Sequence, residues 1–236
     1  MSNYRPISLL TNFSKIFEKN NLLSKNQFGF RQGLSTENAL YQVTQFLYHT
    51  LDNGAKTIAI FLDLAKAFDT INHDILSQIL PTFGINKRNL LWFQSYLSDR
   101  FQQVKLNNIL SDRNLIKFGV PQGSVLGPIL FLLYINDLCN LNVDGKIITY
   151  ADETCMLFSG ISWNEVYHKA TIGLNSIYKC IQDRGLSLNV DKSMFMKFSI
   201  NKCTNTDSPL LIHNCNNFLI CNNINCKQIK YREFVI

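Results

Sequence analysis

Three carboxylates stand where carboxylates can do chemistry. Asp63 closes the apolar run TIAIFLD at 57–63, which has the length and composition of a β-strand. Asp152 and Glu153 are adjacent, between the short β-rich runs 146–152 and 154–158, a hairpin pattern. Taken singly, Asp63 reads equally as a polar strand end and 152–153 as a solvated turn. That turn, however, interrupts apolar, β-branched sequence on both sides. Two acids at strand ends, with a third on a neighbouring strand, can hold two Mg²⁺ ions roughly 3.5–4 Å apart. Such ions neutralise triphosphate charge, lower the pKa of an attacking hydroxyl and stabilise a leaving pyrophosphate. Magnesium suits the role because it takes oxygen ligands and accepts phosphates beside one or two carboxylates.

The elements that must position these acids follow from periodicity and caps. A helix is expected from Thr36 to about Asp52, with Leu40, Val43, Leu47 and Leu51 on one stripe; Ser35 or Thr36 caps it and Asn53-Gly54 ends it. Residues 73–83 and 87–98 read as two helices, the second started by Asn86. The runs 101–107 and 115–119 look like a strand pair. Pro128 opens a helix carrying Ile129 to Leu138, residues 163–184 form another that Gly185 stops, and 194–198 is a further strand. Hairpins mixed with helices, without regular βαβ units, predict an α+β fold with an antiparallel sheet. From 201 the texture changes, with eight asparagines among residues 201–230, and a boundary is expected there.

Composition narrows the partners. The 236 residues suffice for one substantial domain, or a domain plus a lobe. The net charge of +6 has the sign that contact with phosphate backbones needs, although many soluble domains carry as much. No apolar run approaches the ~18 residues of a membrane span. Seven cysteines, odd in number and irregular in spacing, suggest reduced thiols inside a cell. His213, Cys215, Cys221 and Cys226 lack the close Cys-x-x-Cys pair of a zinc site and read as part of a polar tail.

The words around the carboxylates are more specific than their spacing. FLDLAKAFDT (61–70), GVPQGSVLGP (119–128), YADET (150–154) and GLSLNVDKS (185–193) resemble, in order and interval, the polymerase motifs of reverse transcriptases. YRPISLLTNFSKIFEK (4–19) and NQFGFRQGLSTENAL (26–40) resemble the two fingers motifs that precede them. The wording is similar to non-LTR retrotransposons of the jockey and related LINE groups, over roughly residues 4 to 200.

The resemblance implies a right-hand polymerase: a palm of antiparallel sheet backed by helices over 56–200, partial fingers over 1–55, no thumb, and a divergent tail at 201–236. It implies RNA-directed DNA synthesis by two-metal nucleotidyl transfer, with an RNA template, a DNA primer and deoxynucleoside triphosphates as partners and no membrane. Asp63 and Asp152 become the principal metal ligands, with Glu153 in the place of the family's second Asp; the ions are Mg²⁺, and Mn²⁺ can substitute. Phe68 becomes a steric gate against a 2′-hydroxyl, though it could equally be a core aromatic. Gln122 and Gly123 lie along the incoming nucleotide and template. Arg5 and Lys15 hold the triphosphate, Arg31 touches template or nucleotide, and Lys192 gives a proton to pyrophosphate. Each of these cations also reads as an ordinary surface charge.

This sequence departs from the family pattern in three places. Lys19 runs directly into Asn20 where a helix is expected. The YADD word has become YADE, which moves one carboxylate out by a methylene, about 1.5 Å, against an ion that wants near-octahedral geometry. The primer-gripping word expected after residue 200 is a faint echo in IKYREFVI (229–236). These departures fit a fragment of an element, and leave as the alternative an inactive remnant that at most binds nucleic acid.

Overall fold

The computed structural model describes residue 17 and residues 20–200, 209–212 and 226–232. Arg5, Lys15 and most of the first fingers motif lie outside the described residues, as do His213, Cys215 and Cys221. In chain order the elements begin with α1 (Thr36–Asp52), β1 (Lys56–Asp63), α2 (His73–Ile79) with a 3-10 turn at Leu80–Phe83, and α3 (Lys87–Leu97). Four two-residue strands follow: β2 (Phe101–Gln102), β3 (Lys105–Leu106), β4 (Ile109–Leu110) and β5 (Asn114–Leu115). Then come α4 (Gly127–Tyr134), α5 (Asn136–Cys139), β6 (Lys146–Tyr150), β7 (Glu153–Gly160) and α6 (Trp163–Asp183). The last strands are β8 (Met194–Phe198), β9 (Leu210–Ile212) and β10 (Lys227–Tyr231).

A six-stranded sheet in the order β6-β7-β1-β8-β10-β9 is the floor of the molecule. Its pairs are antiparallel except β8 with β10. β1 is nearly all apolar because both of its faces are covered. Successive residues alternate between faces: Ile58, Ile60 and Leu62 join the main core, while Ala59 and Phe61 join a second, smaller one. The main core is closed by α6, whose Val166, Ala170, Leu174, Ile177 and Ile181 recur at helical spacing, and by α4, buried all round. Ser162 starts α6 by accepting a hydrogen bond from the Glu165 backbone N–H at 3.2 Å.

α1 covers the second face, with a correction to the expected stripe. Leu40 is 62% exposed; Ala39, Val43, Phe46 and Leu47 pack on the sheet instead. Thr50, polar and buried, stays satisfied by bonding the Phe46 and Leu47 carbonyls and Thr57 Oγ1 at 2.9–3.0 Å. A small Ala and a self-satisfied Thr let the helix lie close to the sheet, which rotates Leu40 outward.

Two further differences are local. The helix begun at Pro128 breaks at Ile135, so α4 and α5 are separate. The strand pair over 101–119 is two short ladders, β2 with β5 and β3 with β4. The change of texture at 201 does not end the sheet, because β9 and β10 extend its edge beyond β8.

Candidate active site

Strand register sets the carboxylates. Asp63, the last residue of β1, is the Cα partner of Glu153, the first residue of β7. Directly opposed residues of an antiparallel pair send their side chains to the same face, with Cβ atoms roughly 4.5–5.5 Å apart. Asp152 precedes Glu153 in the two-residue turn that joins β6 to β7, since Tyr150 pairs with Glu153. Asp63 thus ends one strand, Asp152 lies in the turn that leads into its antiparallel neighbour, and the partner of Asp63 in register is Glu153.

The turn itself is held from outside the hairpin. Ala151 adopts φ 54, a left-handed conformation that costs a residue with a Cβ free energy. Gln27, which bridges to Thr149 at the β6 edge, is buried at 2% exposure. Its Oε1 accepts from the Gly29 and Ala151 backbone N–H groups at 2.8 and 2.9 Å, and its Nε2 donates to the Ala151 carbonyl at 3.3 Å. Gly29 lies flush on the turn: a Cβ there would fall 2.2 Å from the Ala151 nitrogen.

Arg31, expected at template or nucleotide, is anchored on one side to its own segment. Its Nη1 donates to the carbonyls of Ser24 and Gln27 at 2.8 and 3.2 Å, so one edge of the guanidinium braces the segment that holds the turn. Its Nε is buried and has no hydrogen-bond partner among the described residues.

Two clefts meet at the acids. One, of about 710 Å³, is lined by Asp63 to Asp69, Pro121 to Gly123, Phe30, Asp152, Glu153 and Lys192, among others. The other, about 570 Å³, runs under α1 between Ala39, Val43, Phe61, Ile148 and Cys155 and shares Asp63, Glu153 and Lys192. Phe68 lies in the first cleft with its ring stacked on Phe131 at 4.4 Å and meeting Phe30 edge-on at 5.8 Å. The ring is thus partly core and also lines the cleft, where a gate would have to stand. Gln122 donates from Nε2 to Asp69 Oδ1 at 2.8 Å, and Gly123 sits at φ 77. The loop is seated by Gly119, whose N–H donates to Ile71 O at 2.8 Å, and by Val120, whose N–H donates to Phe68 O at 2.9 Å. A Cβ at Gly119 would meet the Asp69 backbone at 2.8 Å.

The segment 185–193 closes the site from the other side of β1. Asn189 N–H donates to Asp63 O at 2.8 Å. Ser193, 1% exposed, accepts from Asp63 N–H at 3.3 Å and donates to Asn189 O at 2.8 Å. Lys192 projects its Nζ to 3.8 Å from Asp63 Oδ2 with 71% of the side chain exposed, so this ion pair contributes little to stability. Cys155, in the wall of the second cleft, has its pKa pushed up to about 12 by burial. It is a neutral thiol at physiological pH and no nucleophile.

The acids fit a divalent ion in kind: hard oxygen donors at a strand end and in the adjoining turn, two of them facing each other across a ladder. Among the described residues no three Asp, Glu, His or Cys side chains are already gathered around a point that could hold an ion. Gln27, Asp69 and Ser193 were not singled out as site residues from sequence, and each acts through a partner remote in the chain. Their only sequence signal is membership of the words NQFGF, KAFD and DKS.

The sequence matches the reverse transcriptase (RNA-dependent DNA polymerase) family over residues 1–231. The chain belongs to this family. It is 30% identical over 227 residues to a probable RNA-directed DNA polymerase from transposon BS of Drosophila melanogaster, covering 88% of this chain and 25% of that protein. It is 35% identical over 179 residues to the corresponding X-element protein, covering 66% and 19%. To the polymerase of the mobile element jockey, also from Drosophila melanogaster, it is 31% identical over 228 residues, covering 87% and 23%. The expected kinship with jockey-like non-LTR elements therefore stands, and the chain spans a quarter or less of these relatives. Among solved structures, a Candida tropicalis telomerase in complex with a TWJ fragment of telomeric RNA superimposes with a TM-score of 0.59 at 15% identity, covering 81% of this chain and 33% of that one. An apo form truncated of its C-terminal domain gives 0.56 at 14%, covering 80% and 39%. At those identities the likeness shows the fold, and the α+β reverse transcriptase architecture, with an antiparallel-rich sheet backed by helices, stands. Reverse transcriptases work with divalent metal ions on an RNA template and a primer.

Proposed function

We propose that this chain carries the nucleotidyl-transfer centre of a non-LTR retrotransposon's RNA-directed DNA polymerase, extending a DNA primer on an RNA template with deoxynucleoside triphosphates. The observation that carries this is the register of β1 against β7, which sets Asp63 against Glu153 with Asp152 in the adjoining turn. Asp63, Asp152 and Glu153 would hold two Mg²⁺, or Mn²⁺ in their place. Bound there, such ions neutralise triphosphate charge and lower the pKa of the primer hydroxyl.

The chain's own residues do the rest. Phe68 presents an aromatic ring in the cleft and excludes a sugar 2′-hydroxyl. Gln122, oriented by Asp69, and Gly123, where a left-handed backbone suits glycine, line the path of nucleotide and template. Lys192, exposed at the mouth and 3.8 Å from Asp63 Oδ2, gives its proton to the departing pyrophosphate; a positioned acid contributes typically ~10²–10⁴-fold. Arg5, Lys15 and Arg31 supply positive charge for triphosphate and template.

The test is primer extension on poly(rA)/oligo(dT) with Mg²⁺ and with Mn²⁺. Extension that is lost in Asp152→Asn supports the reading, and extension equal in the two proteins removes it.

A further inference from the structure

The fingers motif at 26–40 is expected to bring Arg31 to template or nucleotide. In the structure the polar groups of the segment 24–31 face the palm. Ser24 N–H donates to Asn136 Oδ1 at 2.8 Å, and Asn26 O accepts from Thr149 N–H at 2.8 Å. The segment is thereby pinned to α5 and to the β6 edge. From that anchorage one side chain, Gln27, reaches the carboxylate turn.

We infer that Gln27 is the positioning residue for the Asp152–Glu153 turn, the element that fixes where the metal-binding carboxylates point. Three observations carry this. Two backbone N–H groups converge on one end of the Gln27 carboxamide, which makes that end the oxygen. The same carboxamide then holds both polar groups of Ala151, the N–H and the C=O. The Ala151 carbonyl belongs to the peptide unit that leads into Asp152, so holding it sets the direction of the next Cα–Cβ bond. Ala151 is left-handed, and a residue in that sparsely populated region keeps it only while its surroundings impose it. The flush contact of Gly29 with Ala151 leaves the turn no room to relax toward the fingers segment. A longer acid at 153 makes the direction of the turn matter more, because a small tilt at the backbone is amplified at a Glu carboxylate.

The inference rests on the polymerase reading of the site, and the following comparison separates the two. Gln27→Met removes all three hydrogen bonds at similar volume; Gln27→Glu keeps an oxygen before both N–H groups but replaces the donor to Ala151 O with a second oxygen, at the cost of a buried charge. Three quantities are read on the full chain: kcat and KM for primer extension, Mn²⁺ affinity by electron paramagnetic resonance in the presence of dTTP, and amide hydrogen exchange at Ala151. In Gln27→Met, kcat falls by about tenfold to a hundredfold, the scale of a ~1 Å misplacement. Mn²⁺ binds several-fold more weakly, Ala151 exchange accelerates, and KM for the primed template stays within about threefold. Gln27→Glu, which keeps the two N–H bonds, recovers part of each loss.

A Gln27→Met protein with wild-type Mn²⁺ affinity and kcat overturns the inference while leaving the polymerase reading intact. So does an equal fall in kcat and in template affinity that Gln27→Glu does not rescue, the mark of general destabilisation. A wild-type chain that binds no Mn²⁺ and behaves as Asp152→Asn does overturns the polymerase reading, and the inference with it.

Discussion

Asp63 and Glu153 are Cα partners at the last rung of the β1–β7 ladder. The residue in the place of the family's second Asp is therefore the one directly across from the first acid, and its extra methylene points along the same face. A carboxylate one methylene too far out must push its ion or tilt its turn, and the turn is clamped through Ala151 to Gln27.

Glu153→Asp is accordingly expected to raise kcat for extension by tenfold or more, since a ~1 Å misplacement costs on the order of 10²-fold. Primed-template affinity should stay unchanged. Mn²⁺, with its looser geometric demands, should narrow the gap between the two proteins. Single-turnover extension in both metals checks this. If the substitution gives no gain in either, the added methylene is not the limiting defect.

The packing of Phe68 and its proposed gate role are separated by one substitution. Phe68→Ala should open the cleft to ribonucleotides, so the ratio of dTTP to UTP incorporation falls by about tenfold or more. It should also destabilise the fold by about 2 kcal/mol, below the ~3–5 of a fully buried Phe→Ala, because the ring is only partly buried against Phe131 and Phe30. Competition assays and urea unfolding read the two effects independently. A destabilised protein with unchanged sugar selection would leave Phe68 as core alone.

Burial raises the thiol pKa of Cys139 to about 11 and of Cys155 to about 12, from an ordinary value of 9.0. A group whose folded pKa lies above its unfolded one contributes stability that is complete below the unfolded value and lost as pH rises toward the folded one. Unfolding free energy should thus decline from about pH 9 upward. Replacing both cysteines with alanine should flatten that decline between pH 9 and 11, while Tyr134, whose pKa burial also raises, keeps part of it. Urea titrations across this range measure the slope, and an identical slope in the double variant would refute the assignment.

Much of this was legible in the sequence for identifiable reasons. α1, α6, β1 and the 146–160 hairpin each carry a local signal: a capping Ser35, a stop at Gly185, an apolar run ending in Asp63, a two-residue interruption. The order of the motif words located the acids, Phe68 and the Gln122 loop. What stayed hidden depends on contacts between distant residues. Gln27 acts on a residue 124 positions away, and nothing local distinguishes a glutamine that clamps a turn from one that faces water. Leu40 fits the apolar stripe as well as Ala39 does; only the close approach of α1 to the sheet decides between them. β9 and β10 are short strands among asparagines, and they form because β8 and each other offer partners.

Asp63, with the Asp152–Glu153 turn, is proposed to perform chemistry rather than to hold nucleic acid. Asp63→Asn tests this most directly when dTTP incorporation and primed-template binding are measured on the same preparations at low and moderate salt. Binding should weaken as salt rises, as counterion release demands, and should do so equally in the two proteins. Incorporation should be present in the wild type and fall at least ~10²-fold in Asp63→Asn, the scale of lost metal-assisted positioning. Wild-type incorporation that survives intact in Asp63→Asn would contradict the account.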